Sequence, residues 1–168
     1  SGASEHPPSN LESGQRFVKT LIQELMRSSY WNNSAFLLSY DDWGGWFDHV
    51  NPPQVDENGY GLRVPALLVS PYAKEGHIDH TRLDFTSILK FIEENWCVKQ
   101  LADRDLNANN FLSAFDFNQA QRKAYFLSFT LETTASGKKD PSTVIYTFYC
   151  LALFFSLVTI LFSFFLPF

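Results

Sequence analysis

The chain has 168 residues, 45% hydrophobic and 17% aromatic, enough for one modest domain with a real core. Its formal net charge of -5 gives no basic footprint, which argues against electrostatic capture of nucleic acid. The two cysteines, Cys97 near a predicted helix end and Cys150 in an apolar tail, do not suggest a mutual disulfide and leave the redox compartment undecided.

The opening stretch, SGASEHPPSNLESG, reads as a loop. Residues 15–28 then carry Phe17, Val18, Leu21, Ile22, Leu25 and Met26, a spacing of three and four that predicts an amphipathic helix begun by Ser13 or Gly14. A polar turn over 28–34 holds Tyr30, Trp31 and the sequon Asn32-Asn33-Ser34. Residues 35–40, AFLLSY, are apolar without helical spacing and short, which suits a central buried strand.

Asp41 and Asp42 follow at the carboxyl end of that strand, where open α/β sheets place ligands. Gly44 and Gly45 permit close backbone approach, and Asp48 and His49 complete the cluster. Adjacent carboxylates repel one another, and a bound divalent cation relieves the repulsion. Carboxylates with an imidazole suit zinc, manganese, magnesium or calcium, and the pattern does not choose among them. The competing reading is a plain polar turn bent at the glycines.

Residues 51–62 are rich in Pro, Asn and Gly and read as a surface loop. Arg63 precedes a second short buried strand at 64–69; its guanidinium can bind phosphate or, the reading favoured here, tie loops together. The stretch 72–82 is loop with His77 and His80, either lining a cleft or facing solvent. Asp84 or Thr86 can cap a helix whose Ile88, Phe91, Ile92 and Trp96 form an apolar stripe. Residues 101–117 read as a covering segment rather than a core element, and 119–131 as helix or strand undecided.

A small polar stretch at 132–143 reads as a linker, and from 141 to 168 no residue is charged. The apolar run at 144–166 is long enough to span a bilayer, with a buried core helix as the competing reading. As a retained tail anchor it would keep the domain on the cytoplasmic side with Lys138 and Lys139. As a lipid-anchor signal after the small residues Ala135, Ser136 and Gly137, the reading slightly favoured, it would leave the domain at the cell surface.

Four ordered segments carry a resemblance: SEHPP at 4–8, YDDWGGWFDHVNPP at 40–53, GLRVPALLVSPYA at 61–73 and HIDHTRLDFTSILKFIEENW at 77–96. Together they resemble successive motifs of the phosphoesterase family, which contains non-specific phospholipases C and related acid phosphatases. The resemblance implies an α/β fold in which residues 1–131 are the C-terminal part of an alkaline-phosphatase-like α/β/α sandwich. It implies metal-supported hydrolysis of phosphate esters or phospholipids. By motif position Asp41 and Asp42 take the metal, the second replacing a more common Glu, and His6 takes the phosphate-binding role. Histidines assist proton transfer, with His49 as the catalytic candidate beside His6; His49 and Asp48 are either site residues or supports behind the site, Arg63 and His80 are further candidates, and Ser70 is given no nucleophilic role. The family's Glu-Asn metal motif and its Ser or Thr nucleophile precede the matching region, so these residues alone are expected to be inactive. The rival reading is a non-catalytic, membrane-attached module that uses Trp43 and Trp46 with the neighbouring acids to bind a cation, sugar or lipid.

Overall fold

A computed structural model describes residues 5–9, 11–44 and 47–126, and the backbone of 163–165. It is a mixed α/β arrangement in the order α1 (Leu11–Arg27), β1 (Ser34–Ser39), β2 (Ala66–Val69), α2 (Thr86–Trp96), α3 (Asp103–Asn107) and β3 (Ser163–Phe165). The chain divides into two compact units, one of Ser1–Glu24, Leu38–Leu67 and Tyr125–Ile160, the other of Leu25–Leu37, Leu68–Ala124 and Leu161–Phe168.

β1 is the central strand of a three-stranded sheet ordered β2-β1-β3, as its unbroken apolar run suggests. Ala35, Phe36 and Leu38 are each 1–2% exposed. β3 runs antiparallel to β1, with Ala35 opposite Phe164. β2 starts at Ala66 rather than 64 because Pro65 has no amide to give a ladder, although its carbonyl accepts the Tyr40 amide at 3.4 Å. β2 is half-buried, with Ala66 exposed, and so is less enclosed than its apolar letters suggest.

α1 begins at Leu11, four residues before its apolar periodicity becomes visible. Ser13 and Gly14 therefore lie inside the helix instead of starting it, and Gly14 is buried with Val18. On the exposed face Arg16 pairs with Glu12 one turn earlier.

In the second unit the core joins Ala35, Tyr72, Ile88, Phe91, Phe111 and Phe115, with Leu37, Leu68 and Ile92 against them. The Phe91 ring stacks on Phe111 at 4.5 Å between centroids and on Phe115 at 5.9 Å. The segment expected merely to cover the core thus supplies two of its aromatic residues. Trp96, expected in the apolar stripe of α2, is 39% exposed. Asp84 caps α2: its Oδ1 accepts from the Thr86 amide at 2.6 Å, and its own amide donates to Ser87 Oγ at 3.0 Å.

Residues 121–126 form neither helix nor strand. They are held instead through the Arg122 amide, which donates to the Pro71 carbonyl at 3.0 Å, and the Trp31 indole, which donates to the Arg122 carbonyl at 3.2 Å. Ser70 is buried, its hydroxyl donating to the Ser34 carbonyl at 2.9 Å and accepting from the Tyr72 amide. The apolar run at 144–166 lies outside the described residues except for β3. Among the described residues no helix is long and apolar enough to cross a membrane.

Candidate functional site

The first unit holds His6, Asp41, Asp42, Asp48, His49 and Arg63, and the second holds His80. The joining element of the first unit is a residue whose importance the hydrophobic pattern does not reveal. Glu5, immediately before His6, is 2% exposed. Tyr40, immediately before Asp41, is also buried and donates its hydroxyl to Glu5 Oε2 at 3.1 Å. Burial raises the Glu5 pKa, and the Tyr40 hydrogen bond only partly opposes that rise. Burial together with the Glu5 charge raises the Tyr40 phenol well above its ordinary range.

Gly14 makes room for this carboxylate. A Cβ at that position would lie 2.1 Å from Glu5 Cγ, which explains a glycine inside a helix, where it otherwise costs about 1 kcal/mol relative to alanine. A helix-interior glycine near an EHPP sequence was the available signal for the buried glutamate.

His6 is exposed, and its Nδ1 lies 2.7 Å from the Pro7 carbonyl. A carbonyl only accepts, so Nδ1 carries the proton in this contact. Asp41 and Asp42 are exposed at the end of β1, and Asp42 Oδ1 accepts the Gly44 amide at 2.6 Å. Gly44 has φ of 57°, the left-handed conformation that glycine permits without strain. The turn reading and the ligand reading of this segment are therefore compatible: the glycine shapes the bend that presents the two carboxylates.

Asp48 is engaged by Arg63. Arg63 Nε donates to Oδ2 at 2.8 Å and Nη2 to Oδ1 at 2.8 Å. Hydrogen bonding to the guanidinium holds the Asp48 carboxyl far below the usual carboxylate range. His49 Nδ1 is 3.8 Å from Asp48 Oδ1, with its side chain 85% exposed. His80 is exposed beside Asp79, which accepts from Ser113 Oγ at 2.6 Å and the Thr81 amide at 2.8 Å.

Two neighbouring carboxylates have the donor chemistry for a hard divalent cation. Among the described residues no three His, Cys, Asp or Glu side chains converge to hold one. Asp41 and Asp42 thus fit as part of a ligand set, while Asp48 has both oxygens committed to Arg63.

A sequence profile of the phosphoesterase family matches residues 2–99. Non-specific phospholipase C1 of Arabidopsis thaliana is 30% identical over 145 residues, covering 71% of this chain and 27% of that protein. Phospholipase C B of Mycobacterium tuberculosis (strain ATCC 25618 / H37Rv) is 30% identical over 142 residues, covering 68% and 27%. Non-hemolytic phospholipase C of Burkholderia pseudomallei (strain K96243) is 35% identical over 117 residues, covering 54% and 17%. The chain spans about a quarter of the length of the two broader matches.

Proposed function

The chain belongs to the phosphoesterase family, and on that premise we propose that it supplies part of the catalytic site of a phosphate-ester hydrolase acting on phospholipids or other phosphate esters. The observation that carries the reading is the Glu5–Tyr40 hydrogen bond, which joins the residue before His6 to the residue before Asp41. One motif brings an imidazole and the other brings two carboxylates. In this reading the fold is the C-terminal part of an alkaline-phosphatase-like α/β/α sandwich.

Asp41 and Asp42 would hold a divalent cation, which when bound neutralises phosphate charge and activates a nucleophile. His6, with Nδ1 turned to the Pro7 carbonyl, is the imidazole proposed to meet a phosphate oxygen. His49, its side chain exposed, is assigned proton transfer to the departing alkoxide. Arg63 holds Asp48 and through it the segment that carries His49. Among the described residues no complete metal set converges, which supports the reading that the 168 residues alone are inactive.

The apolar run at 144–166 supports attachment to a membrane, with the catalytic part at the cell surface after lipid anchoring; a tail anchor facing the cytoplasm is the alternative. The functional test uses the complete natural protein and its Asp41→Asn and Asp42→Asn variants, assayed on 4-nitrophenyl phosphate and phosphatidylcholine. Each variant is expected to lose on the order of 100-fold or more in kcat on the better substrate. Full activity in both would remove the proposed role.

A further inference from the structure

We propose that Glu5 and Tyr40 are positioning residues which, through one buried hydrogen bond, set the place of His6 relative to Asp41 and Asp42. The inference rests on the functional reading above and extends it to two side chains outside the proposed reacting groups.

Burying Glu5 is costly. A carboxylate loses its hydration on burial, and the Tyr40 hydroxyl, the donor seen among the described residues, replaces only part of it. A pair of apolar side chains would fill the same space without that cost. α1 also gives up a side chain at position 14 to admit the Glu5 stem. Stability alone does not account for this arrangement. What a directional bond supplies, and apolar packing does not, is a fixed relation between two backbone points.

Those two points matter because each lies one residue from a proposed functional group. Consecutive Cα atoms are held about 3.8 Å apart, so fixing Glu5 and Tyr40 restricts His6 and Asp41 directly. The contact leaves the His6 ring and both Asp41 and Asp42 carboxylates exposed, as a positioning contact must. A misplacement on the order of 1 Å at a catalytic group costs roughly 100-fold in rate, which sets the scale of the effect.

The experiment measures 4-nitrophenyl phosphate hydrolysis by the complete natural protein, well below the Tm of each variant. Tyr40→Phe removes one oxygen and Glu5→Ala removes the acceptor; each is expected to lower kcat roughly 10- to 100-fold with KM changed less than about 3-fold. Glu5→Gln retains an acceptor for the Tyr40 hydroxyl and is expected to stay within about 5-fold of wild type. In a His6→Ala background, Tyr40→Phe should cost clearly less than in wild type, because only its effect on Asp41 remains. Unchanged kcat in both Tyr40→Phe and Glu5→Ala, while His6→Ala and Asp41→Asn lose activity, would overturn the inference alone. An equal loss from Tyr40→Phe with and without His6 would also overturn it. Full activity in His6→Ala and Asp41→Asn would instead overturn the functional reading on which it rests.

Discussion

Arg63 grips Asp48 with both arms of its guanidinium, at 2.8 Å on each oxygen, and its backbone amide adds a third contact to Oδ2 at 3.2 Å. The two residues are fifteen positions apart, so one fork closes the Pro- and Gly-rich loop between them. Such a bidentate geometry holds more firmly than a point contact from lysine.

Asp48 therefore sets a pH dependence. Its folded pKa is depressed, chiefly by the Arg63 hydrogen bonds, so its stabilising contribution is present above the ordinary aspartate value of 3.8. That contribution is lost as pH falls through the folded value. Arg63→Lys keeps the charge and loses the fork; it is expected to lower Tm at neutral pH by roughly 2–5 °C. The difference from wild type should shrink when the melts are repeated at strongly acidic pH, and a difference that does not change with pH would show that the fork is not its source.

Gly14 gives a stability prediction of a different kind. A methyl group placed there collides with Glu5 Cγ, so Gly14→Ala loses the usual advantage of alanine in a helix. Overpacking of this kind costs about 1–3 kcal/mol. Denaturant unfolding should show the loss, and pairing Gly14→Ala with Glu5→Gly, which removes the colliding atoms, should recover much of it relative to Glu5→Gly alone.

These contacts show where sequence reading reaches and where it stops. The run from Ala35 to Leu38 could be read as a buried strand because apolar side chains without helical spacing have few other places to go. Asp84 could be read as a cap because its side chain serves amides within two residues. Glu5 could not be read as a core residue, since hydrophobic patterning assigns a glutamate to the surface and only the shape of α1 at Gly14 says otherwise. Phe111 and Phe115 escaped for a related reason. They flank a single tight turn, Leu112–Ala114, too short for periodicity to register.

Asp42 tests the proposed cation site through side-chain length. Asp42 accepts the Gly44 amide, a contact its short side chain permits. Asp42→Glu lengthens the reach toward a cation but gives up the short local turn contact. In the complete natural protein it is expected to retain activity within about 10-fold, whereas Asp42→Asn loses on the order of 100-fold. Chelation should abolish hydrolysis and added divalent cation restore it; kcat insensitive to both chelator and Asp42→Asn would remove the cation from the proposal.

A buried acid pair takes no part in the proposed site. Glu93 on α2 is 7% exposed and Asp105 on α3 is 2% exposed. Asp105 accepts the Leu101 amide at 2.7 Å and the Ala102 amide at 2.8 Å, which favours its charged form. As a carboxylate Glu93 would bury both oxygens with little to replace their hydration; as an acid it can donate to Asp105. Burial raises Glu93 above its ordinary 4.5, the interaction with Asp105 raises it further, and the Leu101 backbone amide and then Lys90 oppose the change. Asp105 is lowered: burial works against its charge, but the Glu93 hydrogen bond and the backbone amides of Leu101, Asp105 and Ala102 prevail. The signs then follow. The Glu93 contribution is fully present below 4.5 and is lost as pH rises through its folded value. The Asp105 contribution is present above 3.8 and is lost as pH falls through its folded value. Glu93→Gln keeps a neutral donor toward Asp105 and cannot ionise, so it should remove the loss on the alkaline side. Thermal melts from pH 4 to pH 8 are expected to show its Tm exceeding wild type by roughly 2–5 °C at the upper end and converging at the lower. A parallel pair of curves across that range would mean that the two carboxyls do not share a proton.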